Sequence, residues 1–161
     1  MHTWHLSGID HQRFLPLFDA SDGILSARGI VRRRADDRAS YPCRISLTDA
    51  APGAELLLLP YVHLQTHSPY RASGPIFIQR GATRCVLPPG AVPPYVQRRL
   101  ISLRAYDSAD LMLGGQVCEG AGVAEQLDRL FADTAVAFVQ LHNAGYGCFS
   151  CQADRVRTAP C

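Results

Sequence analysis

The loop from His67 to Ser73 brings together several side chains that can do chemistry. His67 has the imidazole of a general base, Arg71 has a guanidinium that can clamp an anion, and Tyr70 and Ser73 add hydroxyl donors. Proline and glycine bound the loop, and an apolar strand is predicted directly after it. This pattern indicates one wall of a catalytic or binding site. The alternative is a structural loop in which Tyr70 packs and Arg71 pairs with a core carbonyl group.

A second candidate site surrounds a predicted hairpin turn at residues 144–147. If that turn is tight, His142 and Cys148 lie opposite each other on one sheet face, with Cβ atoms about 5 Å apart. An imidazole beside a thiol can generate a thiolate nucleophile, and Asn143 could orient the ring. The alternative is a buried, inert cysteine next to a hydrogen-bonded histidine.

Arginines on or beside predicted strands form a third group. Arg104 and Tyr106 share one face of a predicted strand, and Arg44 follows a short apolar stretch. A buried arginine needs a carboxylate or a bound anion as its partner. A cationic pocket for a small carboxylate or phosphate would form if the fold brings together Arg44, His67, Arg71, Arg104 and His142.

Metal and cofactor chemistry find little support in the sequence. Cys148 and Cys151 form a Cys-x-x-Cys pair, but on a predicted strand these positions face opposite sides. A zinc site would also need two further ligands. His63 and His67 would share a face only on a helix. We therefore expect no metal site and no cofactor.

The composition excludes several classes of function. All 16 basic residues of the 161-residue chain are arginine, so a Schiff-base lysine is impossible. A net charge of +2 argues against nucleic acid as the main partner, and no apolar run is long enough for a membrane span. Because the N-terminus has no secretion signal, we expect a cytoplasmic protein with reduced cysteines.

Periodicity predicts the elements that would position these residues. Short strands with few helices indicate the α+β class, with a largely antiparallel sheet covered by helices on one side. We predict one domain over residues 4–154 and a frayed tail over residues 155–161. The main predicted strands are 3–9, 29–35, 55–64, 75–79, 100–106, 111–118, 135–141 and 148–154, and the main predicted helices are 11–18, 21–29, 94–99 and 123–131.

Four blocks of the chain resemble the signature blocks of a bacterial family, domain of unknown function 1203. The blocks are Tyr41–Arg44, Ser68–Phe77, Leu103–Asp107, and His142–Ala144 with Gly147–Phe149. They occur in the family's order, and the resemblance spans roughly residues 4 to 154. It implies a stand-alone cytoplasmic bacterial domain and no particular reaction, cofactor or partner.

The sequence therefore favours a pocket for a small anionic ligand. An enzyme would use His67, or His142 with Cys148. A binding module would use Arg44, Tyr70, Arg71, Ser73, Arg104, Tyr106 and Asn143. The alternative is a non-catalytic structural or partner-binding domain, in which these motifs are folding constraints. The oligomeric state stays open.

Overall fold

The computed structural model describes residues 2–156, whose ten strands form two five-stranded sheets. The first sheet is antiparallel throughout and places the first and last described strands side by side. In spatial order it contains β1 (Trp4–Ser7), β10 (Phe149–Arg155), β9 (Phe138–Asn143), β7 (Leu100–Tyr106) and β8 (Met112–Glu119).

The second sheet is built around one long hairpin. In spatial order it contains β2 (Val31–Arg34), β5 (Glu55–Leu64), β6 (Ala72–Gln79), β3 (Pro42–Cys43) and β4 (Thr48–Asp49). The pairing is antiparallel except between β3 and β6, where a parallel bridge joins Cys43 to Phe77. The chain that leaves β3 therefore reaches the first sheet at once, where Arg44 contacts Phe149 of β10.

The helices are short and follow local sequence signals. Ser21 caps α2 by accepting a hydrogen bond from the Ile24 amide, as its position before a helical stretch predicts. Pro94 occupies the first turn of α3, where it costs no backbone hydrogen bond. The helices are α1 (Leu15–Phe18), α2 (Asp22–Ala27), α3 (Pro94–Gln97) and α4 (Val123–Ala132), and 3-10 turns span Gln12–Phe14 and Gly120–Gly122.

Each sheet buries one apolar face. The first sheet packs on α4 through Val123, Leu127 and Phe131, which recur at helical spacing. The second sheet is covered by α1, α2 and the preceding 3-10 turn. Phe149 joins the two halves, since it belongs to β10 but packs into the core of the second sheet. A β-bulge between Phe149 and Cys151 turns these two side chains toward different cores.

The α+β class is confirmed, with 19% helix and 38% strand. The strands predicted at 55–64 and 100–106 have the predicted bounds. The strands divide between two sheets, each with helices on one side, where we expected a single sheet. Arg155, which we assigned to the tail, belongs to β10 and donates to the Val136 carbonyl. Residues 157–161 lie outside the described residues.

Candidate functional site

A cleft of about 840 Å³ opens beside the outer face of the second sheet. Side chains alternate along a strand, so Leu57 and Leu59 of β5 face the core, and Leu58 faces outward. Phe77 pairs with Leu58 in register, and Pro75 extends the same wall. This side of the cleft is apolar because β5 is apolar on both faces.

The rest of the cleft comes from three segments that meet at the end of the first sheet. They are the stretch leading into β3, the start of β7 and the turn between β9 and β10. Their lining residues are Ala39, Ser40, Tyr41, Pro42, Arg44, Arg99, Leu100, Asn143, Gly145, Tyr146, Gly147 and Cys148, and β6 adds Ser73 and Gly74. None of the lining residues is acidic.

Arg44 lines the cleft although it is only 1% exposed. Its guanidinium donates from Nε to the Phe149 carbonyl at 2.7 Å, from Nη1 to the Pro42 carbonyl, and from Nη2 to Cys148 Sγ at 3.4 Å. These bonds use three of the five guanidinium N–H groups. Within residues 2–156 no carboxylate forms a salt bridge with Arg44. A buried cation without a counter-ion is therefore built into one end of an apolar cleft.

The backbone around Arg44 is held in place on both sides. Leu47 adopts a φ of 57° as the chain turns from β3 to β4, and its amide donates to the Cys43 carbonyl at 3.0 Å. On the other side, the Ile9 amide donates to the Arg44 carbonyl at 2.9 Å. Gly8 permits this approach, because a Cβ there would lie 2.0 Å from the Ile45 carbonyl oxygen.

Arg99 also lines the cleft, but it already has a carboxylate partner in Asp49, which also binds Arg98. Its Nη2 lies 2.7 Å from Asp49 Oδ1, and the same guanidinium donates to the Ser40 hydroxyl. The Arg99 guanidinium lowers the pKa of Asp49 against the effect of burial, which raises it. Arg44 is therefore the cleft arginine that still has capacity to bind an anion.

Cys148 and Asn143 lie opposite each other at the base of the β9–β10 turn. The Asn143 amide donates to the Cys148 carbonyl at 2.9 Å, and Gly147 closes the turn with a φ of 76°. The Asn143 Nδ2 lies 3.7 Å from Cys148 Sγ. Asn143 is 9% exposed, and its Oδ1 has no hydrogen-bond partner within residues 2–156. Two N–H groups thus donate to Cys148 Sγ, and Asn143 Oδ1 beside it is an unpaired acceptor among the described residues.

The predicted pairing of His142 with Cys148 is wrong by one residue. His142 pairs with Phe149, so it projects from the sheet face opposite to the face of Asn143 and Cys148. Its Nδ1 donates to the Gly147 carbonyl at 3.1 Å, which supports the turn from behind. The imidazole does not contact the Cys148 thiol and cannot act as its base.

His142 instead belongs to a polar cluster between the two sheets. Its ring centroid lies 4.9 Å from that of His63, and Gln140 accepts from His63 Nδ1 at 2.8 Å. Gln140 also donates to the His63 carbonyl at 2.7 Å. Burial lowers the pKa of His142 to about 4, and the nearby charge of Arg104 acts in the same direction. Burial also lowers the pKa of His63. Both rings are therefore neutral at pH 7.

The loop that contains His67, Tyr70 and Arg71 lies at the far end of the β5–β6 hairpin. Its residue Ser68 donates to the Asp110 carbonyl at 2.9 Å, which fixes the loop to the turn after β7. His67 and Arg71 are exposed and form no side-chain hydrogen bond or salt bridge within the described residues. Only Ser73 of the predicted loop residues reaches the cleft, because β6 begins at Ala72.

Arg104 and Tyr106 lie on β7, away from the cleft. The Tyr106 ring contacts Tyr70 with 6.2 Å between centroids and stacks on Phe138 at 5.0 Å. Burial raises the pKa of Tyr106, and the Arg104 guanidinium opposes this effect. Arg104 is half-buried beside the histidine cluster. Five predicted cationic groups therefore do not converge on one cavity: of Arg44, His67, Arg71, Arg104 and His142, only Arg44 lines the cleft.

The segments that build the cleft lie almost entirely within the part of the chain that matches a known family. A family model described as a protein of unknown function, DUF1203, matches residues 40–155. The chain belongs to this family. The match begins at residue 40 rather than at residue 4, and it contains all four signature blocks. No curated protein and no solved structure matches the chain significantly.

Within the family's matched segment, four of the predicted site residues meet at the cleft: Arg44, Ser73, Asn143 and Cys148. Sequence reasoning missed the apolar wall and the aromatic residues beside it. The Tyr41 ring meets Phe77 edge-on with 5.3 Å between centroids, and Tyr146 is 96% exposed. One signal was present, because β5 carries leucines on both faces, whereas a strand with one solvated face alternates between apolar and polar residues.

Three further observations bear on the predictions from the sequence. Within residues 2–156 there is no group of three or more His, Cys, Asp or Glu residues that could hold a metal ion. Cys151 packs in the core of the first sheet, whereas Cys148 lines the cleft, so the Cys-x-x-Cys pair is split. No described helix is both long enough and apolar enough to cross a membrane.

Proposed function

We propose that the cleft binds a small molecule with an apolar body and an anionic end. Arg44 carries this proposal, since it is a buried arginine without a carboxylate partner in the described residues. Burying an unpaired cation is unfavourable unless a counter-ion or several hydrogen bonds compensate. Two carbonyl oxygens and a sulfur offset part of this cost. A carboxylate or phosphate group at the remaining N–H groups would offset more of it.

The walls of the cleft favour the apolar body. Leu58, Pro75 and Phe77 form a continuous apolar surface that leads away from Arg44. A volume of about 840 Å³ lies within the usual range for small-molecule sites. The proposal is a binding function and assigns no reaction. A small anionic molecule remains the expected partner, with neither nucleic acid nor a membrane.

Straight-chain ligands can separate the two parts of the proposal. We would measure thermal unfolding and binding heats with sodium decanoate, 1-decanol and sodium acetate. At a decanoate concentration about ten times its Kd, stability should rise by about 1.4 kcal/mol. For a chain of this length, that gain corresponds to a Tm increase of about 3–5 °C. Decanol should bind more weakly, because it lacks the charge, and acetate should bind more weakly, because it lacks the chain.

A pair of variants tests the location. Ser73 is exposed and lines the cleft, so Ser73→Phe should obstruct the cleft and weaken decanoate binding. Val62 pairs with Ser73 on the same sheet face but does not line the cleft, so Val62→Phe is the matched control. Equal stabilisation by decanol and decanoate would refute the anionic end. Decanoate affinity that Ser73→Phe leaves unchanged would refute the site. Failure of both decanoate and decyl phosphate to bind would refute the function.

A further inference from the structure

Cys148 differs from the other cysteines of residues 2–156, because it is the one that lines the cleft. Cys43 and Cys151 are buried in the two cores, and burial raises the pKa of the Cys151 thiol to about 11. Cys85 and Cys118 pack against the core of the first sheet. Cys148 is therefore the thiol that a molecule in the cleft would meet.

The groups around Cys148 Sγ suit a negative charge. Arg44 Nη2 lies 3.4 Å from the sulfur, and Asn143 Nδ2 lies 3.7 Å from it. No acidic residue among residues 2–156 lines the cleft. The guanidinium and the amide can each donate a hydrogen bond to the sulfur, and the thiolate is the nucleophilic form of cysteine.

The neighbouring groups also restrict which reactions the sulfur can perform. His142 points to the other face of the sheet, so no imidazole can protonate a leaving amine, as amide cleavage requires. Cleavage of an oxygen–oxygen bond needs no such acid, since hydrogen-bond donors can stabilise the departing alkoxide. A hydroperoxide also carries an O–H donor, and Asn143 Oδ1 is an acceptor that lacks a partner in the described residues.

We infer that Cys148 is a peroxide-reactive thiol that alkyl hydroperoxides oxidise to a sulfenic acid. The thiol first loses its proton to solvent. The thiolate then attacks the terminal oxygen of ROOH, so that an S–O bond forms and the O–O bond breaks. The electron pair leaves with RO⁻, which takes a proton from solvent to give ROH. Sulfur is oxidised by two electrons, and the peroxide is reduced by two.

The apolar wall of the cleft selects the class of peroxide. Leu58 and Phe77 can hold an alkyl or aryl group, which hydrogen peroxide lacks. No second described cysteine lines the cleft, so the sulfenic acid has no neighbouring thiol there with which to form a disulfide. Each chain is oxidised once, and an external thiol is needed to restore it. This inference rests on the proposed function only in that the cleft holds the apolar part of the molecule.

The test is to trap sulfenic acid with dimedone and to follow the site of labelling by mass spectrometry. With cumene hydroperoxide as the oxidant, dimedone should label Cys148 at least about tenfold faster than it labels Cys85 or Cys118. Labelling of Cys148 should also be faster with cumene hydroperoxide than with hydrogen peroxide. Asn143→Ala should slow labelling by both peroxides. Ser73→Phe should slow labelling with cumene hydroperoxide more than labelling with the smaller hydrogen peroxide, whereas Val62→Phe should change neither.

The outcomes separate this inference from the proposed function. Labelling of Cys148 at the rate of the other cysteines, or equal rates with the two peroxides, would overturn it. If Asn143→Ala does not fold, the comparison of Ser73→Phe with Val62→Phe still decides the question. Decanoate binding with an unreactive Cys148 would leave only the proposed function standing. If Cys148 reacts and Ser73→Phe slows the reaction, but decanoate does not bind, only the inference about Cys148 would stand.

Discussion

Protonation of His142 should make the stability of the protein fall steeply in mildly acidic solution. The ring is fully buried between the sheets, beside His63 and the positive charge of Arg104. Burial lowers its pKa from 6.5 to about 4 in the folded protein. The unfolded chain therefore binds a proton at a pH where the folded chain does not. The contribution of His142 is fully present above about pH 6.5 and is lost as the pH falls toward about 4.

The size of the effect follows from these two pKa values. Between about pH 7 and about pH 5, linkage predicts that His142 alone removes about 2 kcal/mol from the free energy of unfolding. Other groups add to the slope. His63 acts in the same direction, because its pKa is also lowered, and Asp49 contributes only at lower pH.

Urea unfolding of wild type and His142→Asn at several pH values isolates the contribution of His142 to the pH dependence of the unfolding free energy. The asparagine amide can still donate to the Gly147 carbonyl, but it does not titrate. The variant should lose about 2 kcal/mol less than wild type between about pH 7 and about pH 5. His67→Asn, in an exposed loop, is the control and should follow wild type. Parallel curves for wild type and His142→Asn over this range would refute the reasoning.

Two further predictions concern backbone packing and the loop that the sequence favoured. Gly8→Ala should destabilise the protein by about 3 kcal/mol or more in urea unfolding, because its Cβ would collide with the backbone at 2.0 Å. Gly114→Ala, where nothing lies within 4 Å, should change stability by less than about 1 kcal/mol, and equal effects would contradict the close approach. Arg71→Ala should leave stability within about 0.5 kcal/mol of wild type and decanoate affinity unchanged, since Arg71 is exposed and lies outside the cleft. If calorimetry showed that Arg71→Ala loses decanoate binding, Arg71 would be part of the binding site and this prediction would be wrong.

The sequence predicted most of the strands and the class of fold because those features depend on local alternation. The strand from Leu100 to Tyr106 is one such case, with buried and less buried residues in strict alternation over most of its length. The helix from Val123 is another, since its apolar stripe needs no partner to be recognised.

The arrangement of the site depends on non-local features that alternation does not encode. The position of Arg44 depends on the parallel bridge between β3 and β6 and on the left-handed Leu47. His142 pairs with Phe149 and not with Cys148, and this shift of one residue moves the side chain to the other face of the sheet. Ser73 and Arg71 are two residues apart, yet only Ser73 reaches the cleft, because the hairpin carries its tip away from it.

The pairing of β1 with β10 has a consequence for how the protein is made. The first described strand pairs along its whole length with the last described strand, and Phe149 of that last strand completes the core of the second sheet. Domains usually begin to fold while their chains are still being synthesised. In this protein the first sheet lacks β10, and the core of the second sheet lacks Phe149, until residues 149–155 have left the ribosome. Nascent chains that stop before Phe149 should therefore leave part of each core exposed. Truncations that remove β10 should also destabilise β1, which lies at the other end of the described chain.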